Sequence, residues 1–75
     1  MKLYEFLISI GEPEDTVVII IHNDRQVYNG YLESLGFSIL RNYGKYDIKS
    51  INPGKQALYT LTVVLENDPW YDQNR

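Results

Sequence analysis

The sequence predicts an α+β fold in one small domain, ordered α-β-β-α-β-β, with two hairpins in a mostly antiparallel four-stranded sheet and one helix packed across a face. Three observations carry this expectation: an amphipathic stripe near the N-terminus, a β-branched run after it, and a long alternating segment near the C-terminus. With 75 residues the chain has room for a single core, expected over about residues 2–66, followed by a C-terminal tail over 67–75.

Leu3, Phe6, Leu7 and Ile10 fall at i, i+3, i+4 and i+7, the spacing of one helical face, and predict a helix over residues 2–10. Gly11 stands where a C-terminal cap belongs, with Pro13 two residues beyond it. From Thr16 to His22 the chain is almost wholly β-branched, which stiffens the side chains and favours a pleated surface. Val17 to Ile21 are apolar at both alternating sets of positions, so this strand is expected at the centre of the sheet, covered on both faces. The polar stretch from His22 to Gln26 reads as a turn, and Val27 to Tyr31 as the returning strand of a hairpin. Gly30 inside that strand predicts a bulge or a close backbone approach.

A short helix is expected from about Leu32 to Leu35, because Leu32, Leu35 and Ile39 have helical spacing that Gly36 interrupts. Residues 36–41 stay open between helix, strand and loop. Asn42 to Lys45 reads as a turn, Tyr46 to Ile51 as a third strand, and Asn52-Pro53-Gly54-Lys55 as a type II turn. Ala57 to Glu66 predicts a fourth strand whose odd-numbered positions, Ala57, Tyr59, Leu61, Val63 and Leu65, meet the core. The closing segment from Asn67 is expected to fray, or its Asp68, Trp70, Tyr71 and Asp72 to dock on a basic partner or fold back over the sheet. The strand order is open.

Composition excludes several functions. The chain has no Cys and one His, His22, so neither a disulfide nor a zinc site is expected, and no cofactor. Glu5 stands where a signal peptide would begin its apolar run, and the longest apolar run, Val17 to Ile21, falls far short of the roughly 20 residues of a membrane span. A soluble, cytoplasmic protein with no membrane partner is therefore expected. The net charge of −3 argues against direct nucleic-acid binding, which needs a basic stripe to displace counterions. Arg41, Lys45 and Lys49 lie near one another in sequence but read as a solvated face.

The succession of Leu3-Tyr4-Glu5-Phe6-Leu7, a β-branched strand, Val27-Tyr28-Asn29-Gly30, then Tyr46-Asp47-Ile48-Lys49-Ser50-Ile51 and an apolar closing strand resembles short proteins encoded by phages and prophages of Gram-positive bacteria. The resemblance spans most of residues 2–66 and transfers no catalytic residue. It implies an accessory protein acting on a host or phage partner.

No catalytic constellation emerges from the residues. His22 beside Asn23 and Asp24 suggests a His–carboxylate pair, but catalysis also requires a nucleophile, an oxyanion site and a pocket. Glu12, Glu14 and Asp15 lack the ladder of ligands of a calcium loop and read as an exposed acidic linker. The aromatic content is more telling. Seven Tyr exceed what so small a core can hide, and Tyr is a preferred interface anchor. Tyr46 and Tyr59 read as strand residues; Tyr28, Tyr31, Tyr43, Trp70 and Tyr71 form the candidate protein-interaction surface. The leading expectation is a non-enzymatic protein-binding module with a protein partner. One alternative is a homo-oligomeric assembly protein, formed as a homodimer through an open edge or the second sheet face. Another is an acidic mimic that blocks a nucleic-acid-binding protein.

Overall fold

A computed structural model describes residues 1–53 and 60–73. Along the chain run α1 (Leu3–Ile8), β1 (Val17–His22), β2 (Arg25–Tyr31), a single 3₁₀ turn (Leu32–Ser34), α2 (Phe37–Tyr43), β3 (Ile48–Pro53), β4 (Thr60–Leu65) and α3 (Pro69–Gln73). The four strands form one mixed sheet in the order β2-β1-β4-β3. The two sequential pairs are antiparallel, as the sequence predicts; β1 and β4 lie side by side at the centre and run parallel. A parallel pair needs a long crossover, and the stretch from β2 to β3 supplies it.

The core occupies one face of this sheet. Val18 and Ile20 of β1 and Val63 and Leu65 of β4 are buried there together with Leu3 and Leu7 of α1, and Ile39, Leu40 and Tyr43 of α2 pack against them. The expected odd-numbered face of β4 is the core face at Val63 and Leu65; positions 57–59 and the Gly54-Lys55 part of the expected turn lie outside the described residues. The opposite face carries Val17, Ile19, Ile21 and Val64, all half-buried and none packed against the core. Its shortest dimension, 19 Å, matches a molecule of two layers, one of helices and one of sheet.

Three elements depart from the sequence expectation. The helix expected at Leu32–Leu35 is only a 3₁₀ turn, and the true second helix follows at Phe37–Tyr43. Gly36 does not interrupt that helix: it is the N-cap, and Gly44 is the C-cap, so the residues expected as a turn at Asn42 and Tyr43 close the helix instead. Gly44 is required by close approach. A Cβ there would lie 2.5 Å from the Leu40 carbonyl oxygen and 3.4 Å from the Tyr4 Cβ. The first helix stops at Ile8 with Ser9 as its cap, whose hydroxyl donates to the Phe6 carbonyl at 2.6 Å, so Gly11 has no capping role. β3 begins two residues later than expected, leaving Tyr46 ahead of it.

The N-terminus is strapped to the segment that follows α2. Leu3 N–H donates to the Tyr46 carbonyl, Tyr4 N–H to that of Gly44, and Ile48 N–H to that of Met1, each at 2.9 Å. Lys2 adds an exposed ion pair with Asp47 at 3.3 Å, which contributes little by itself.

Candidate functional site

The β1–β2 hairpin turns on only two residues. Asn23 and Asp24 have φ of 52° and 60°, the left-handed values a type I′ turn demands at both central positions. Asn and Asp tolerate that region better than other residues with a Cβ, which is why this dipeptide can close the hairpin. One residue into the ladder the register slips: Ile20 pairs with Tyr28 while Ile21 pairs with Gln26, so Val27 is the extra residue of a bulge. Val27 and Tyr28 both pack against the core as a result. At Gly30 a side chain rather than a backbone comes close: a Cβ there would lie 3.0 Å from the Tyr28 hydroxyl. That hydroxyl donates to the Tyr31 carbonyl at 2.7 Å.

The C-terminal segment folds back, but onto the hairpin turn rather than over the sheet. Asn23 and Asp68 bind each other reciprocally: Asn23 Nδ2 donates to Asp68 Oδ2 at 3.2 Å, and the Asp68 N–H donates to Asn23 Oδ1 at 2.9 Å. The Asn23 N–H donates to Asn67 Oδ1 at 3.1 Å, and the Tyr71 hydroxyl to Asp24 Oδ2 at 3.0 Å. The Tyr46 hydroxyl completes the network with a 2.8 Å bond to Asp68 Oδ1. In place of a frayed tail, Pro69–Gln73 forms a short helix held against the turn.

Between the hairpin turn, α2 and this helix lies a cleft of about 340 Å³. His22, Tyr43, Tyr46 and Asp68 line it, with Arg25 and Trp70 among the remaining residues of its wall. His22 is buried, 7% exposed, and its ring meets those of Tyr43 at 5.4 Å and Tyr46 at 4.3 Å between centroids. Its Nε2 has no hydrogen-bond partner and sits 3.7 Å from Asp68 Oδ2, beyond bonding distance. The carboxylate facing His22 is therefore Asp68, 46 residues away in sequence, and not the adjacent Asp24.

The Tyr46–Asp68 bond shifts both groups. The hydrogen bond from Tyr46 holds the Asp68 carboxyl below its ordinary value, helped by bonds from Asn23 and Trp70 and by the neighbouring His22, while burial opposes it. The same bond raises the Tyr46 hydroxyl, with burial and the Asp68 charge acting in the same direction. Asp68 thus stays ionised and serves as the acceptor that ties the hairpin turn and the segment before β3 to the start of α3.

Of the five aromatic residues singled out in the sequence, the structure brings Tyr43 and Trp70 to the cleft, with Tyr71 beside Trp70 at 6.1 Å between centroids. Trp70 is 59% exposed. Tyr31, 52% exposed, pairs with Val17 and lies on the opposite sheet face, whereas Tyr28 pairs with Ile20 on the core face away from the cleft lining. Arg25, Asn23 and Tyr46 are the site residues that sequence reasoning missed, and Asp68, expected only in the tail, turns inward to the cleft. Only the Asn-Asp pair in a polar break carried a local signal, that of a left-handed turn.

Among the described residues no three His, Cys, Asp or Glu side chains converge to hold a metal ion, and no helix is long and apolar enough to cross a membrane. Comparison of the chain with protein-family models, with curated proteins and with solved structures finds no match in any of the three.

Proposed function

We propose that the chain is a non-enzymatic protein-binding module and that the cleft beside the hairpin turn is where its partner docks. The observation that carries this reading is Trp70, the only tryptophan of the chain, exposed at the wall of a cleft in which Tyr46, Asp68 and Asn23 are bonded to one another. Trp, Tyr and Arg are the residue types that dominate binding energy at protein interfaces, and Trp70, Tyr43 and Arg25 bring one of each to the same cleft. The Asp68 network fixes the segment that bears Trp70, so little ordering cost remains to be met on binding. The resemblance to phage and prophage proteins supplies a context within the same proposal, an accessory protein acting on a host or phage partner.

The test is capture from a lysate of the cells that express the protein, comparing the unmodified chain with Trp70→Ala, Arg25→Ala and Tyr31→Ala. Loss of an interface anchor of this kind typically costs about 2 kcal/mol or more, roughly 30-fold in affinity. A partner retained by Tyr31→Ala and lost by Trp70→Ala supports the cleft. Equal retention by all three variants refutes it.

A second reading, self-association, is favoured by the second face of the sheet. Val17, Ile19, Ile21 and Val64 form its apolar middle, and none of the paired positions on that face is charged. Four strands about 4.8 Å apart and six residues long offer roughly 400 Å² per copy. That is about half of what a stable interface buries per partner, so the dimer expected is weak. Light scattering across a concentration series tests it: mass should rise with concentration for the unmodified chain and not for Ile19→Lys.

A further inference from the structure

Resting on the cleft being the binding site, we infer that its occupant is a protein segment in which an aromatic side chain is flanked by carboxylates. The charged groups at this end of the molecule are unequally committed. Each nearby carboxylate accepts hydrogen bonds from the chain itself: Asp68 from Tyr46 and Asn23, Asp72 from Asn67 Nδ2 at 3.1 Å, and Asp24 from Tyr71. Arg25 is different. Among the described residues it is the one Lys or Arg that lines the cleft, it is exposed, and it forms no ion pair with any of them.

An entering group therefore meets a guanidinium whose donors are unfilled. Its planar fork matches a carboxylate, with which it makes two parallel charge-assisted bonds. The exposed indole of Trp70 and the ring of Tyr43 supply the apolar wall, against which an aromatic ring packs in offset or edge-to-face geometry. A cleft of about 340 Å³ lies at the small end of binding pockets and suits one large side chain with its flanking backbone. Asp68, ionised in the same cleft, and the net charge of −3 act against acidic partners, but both Asp68 oxygens are engaged by Tyr46 and Asn23 while the guanidinium is open to contact. At physiological salt the screening length is about 8 Å, so the guanidinium in contact decides.

The emission of Trp70 reports directly on the cleft wall, because the chain has no other tryptophan. The experiment titrates the full chain, at physiological salt, with three capped tripeptides: phenylalanine between two aspartates, phenylalanine between two lysines, and alanine between two aspartates. The first should shift the emission at about tenfold lower concentration than either of the others. Arg25→Glu should reverse the order of the two phenylalanine peptides; should that variant not fold, Arg25→Gln should abolish the difference between them. Equal or tighter binding of the lysine peptide to the unmodified chain overturns the inference and leaves the cleft standing as a site. Equal binding of the alanine peptide overturns the aromatic requirement. If no peptide moves the emission, the cleft is not a binding site and the reading beneath the inference falls with it.

Discussion

Replacing Asn23 by Gly separates the backbone role of this residue from its side-chain role. The left-handed φ of 52° would be relieved in the Gly variant, a gain of up to about 1 kcal/mol. The extra freedom of Gly in the unfolded chain costs about 0.5–1 kcal/mol, so the two backbone effects nearly cancel. What remains is the loss of the two reciprocal bonds with Asp68, at 3.2 and 2.9 Å. A hydrogen bond is worth about 1 kcal/mol net and somewhat more when its partner is charged, so Asn23→Gly should destabilise by about 2 kcal/mol. For a chain of this length that lowers the melting temperature by roughly 8–16 °C. Asp24→Gly is the control. It shares the backbone effect and leaves both Asn23–Asp68 bonds in place, so it should cost less than Asn23→Gly. The assay is urea unfolding followed by far-UV circular dichroism at neutral pH. A midpoint for Asn23→Gly at or above that of the unmodified chain would refute the claim that the Asn23–Asp68 pair holds the C-terminal segment.

Three further outcomes follow from the same geometry. Asp68 is held below its ordinary pKa, so its share of stability is present above about pH 4 and lost as the pH falls through its depressed value. Tyr46 is raised, so its share is present below about pH 10 and lost as the pH climbs through the raised value. The difference in urea midpoint between the unmodified chain and Tyr46→Phe should accordingly be flat near neutrality and shrink at both extremes; a difference independent of pH contradicts the assignment. His22→Phe keeps a ring against Tyr43 and Tyr46 and removes a buried nitrogen with no partner, so the melting temperature should hold or rise, by up to about 1 kcal/mol in stability. A clear fall would show that the imidazole makes a bond the structure does not contain. Gly44→Ala forces a Cβ against the Leu40 carbonyl and should cost about 1–3 kcal/mol, read as a lower urea midpoint; an unchanged midpoint means the close approach is relieved without strain.

Local periodicity and turn chemistry made several elements legible in the chain itself. Leu3, Phe6 and Leu7 are the core-facing side of α1, because side chains three and four apart share a helical face whatever surrounds them, and Ile10 packs against the same core from beyond the helix end. The β-branched run became the strand beside the centre of the sheet, and the alternation through Val63 and Leu65 placed the core face of β4 correctly. Asn23-Asp24 closed the hairpin, since few residues other than Gly accept positive φ twice in succession. α2 is legible in principle, yet residues 36–41 stay open in the sequence: Gly36 and Gly44 bracket the helix as caps, and Ile39, Leu40 and Tyr43 give it an apolar face, but a Gly viewed alone looks like a break.

The candidate site belongs to the tertiary structure. His22, Tyr43, Tyr46 and Asp68 span almost fifty positions of sequence, and no local pattern links them. They meet because β1 and β4 run parallel at the middle of the sheet, which brings the end of β4 alongside the end of β1 and delivers Asp68 beside His22 and the turn. The sequence by itself determined the α+β class, the hairpin and the core faces of α1 and β4, all of them properties of residues a few positions apart; which face of β1 meets the core it left open, since both are apolar. Strand order, the docking of the C-terminal helix and the exposure of Trp70 depend on contacts between distant segments, whose net free energy is settled only when the whole sheet is assembled.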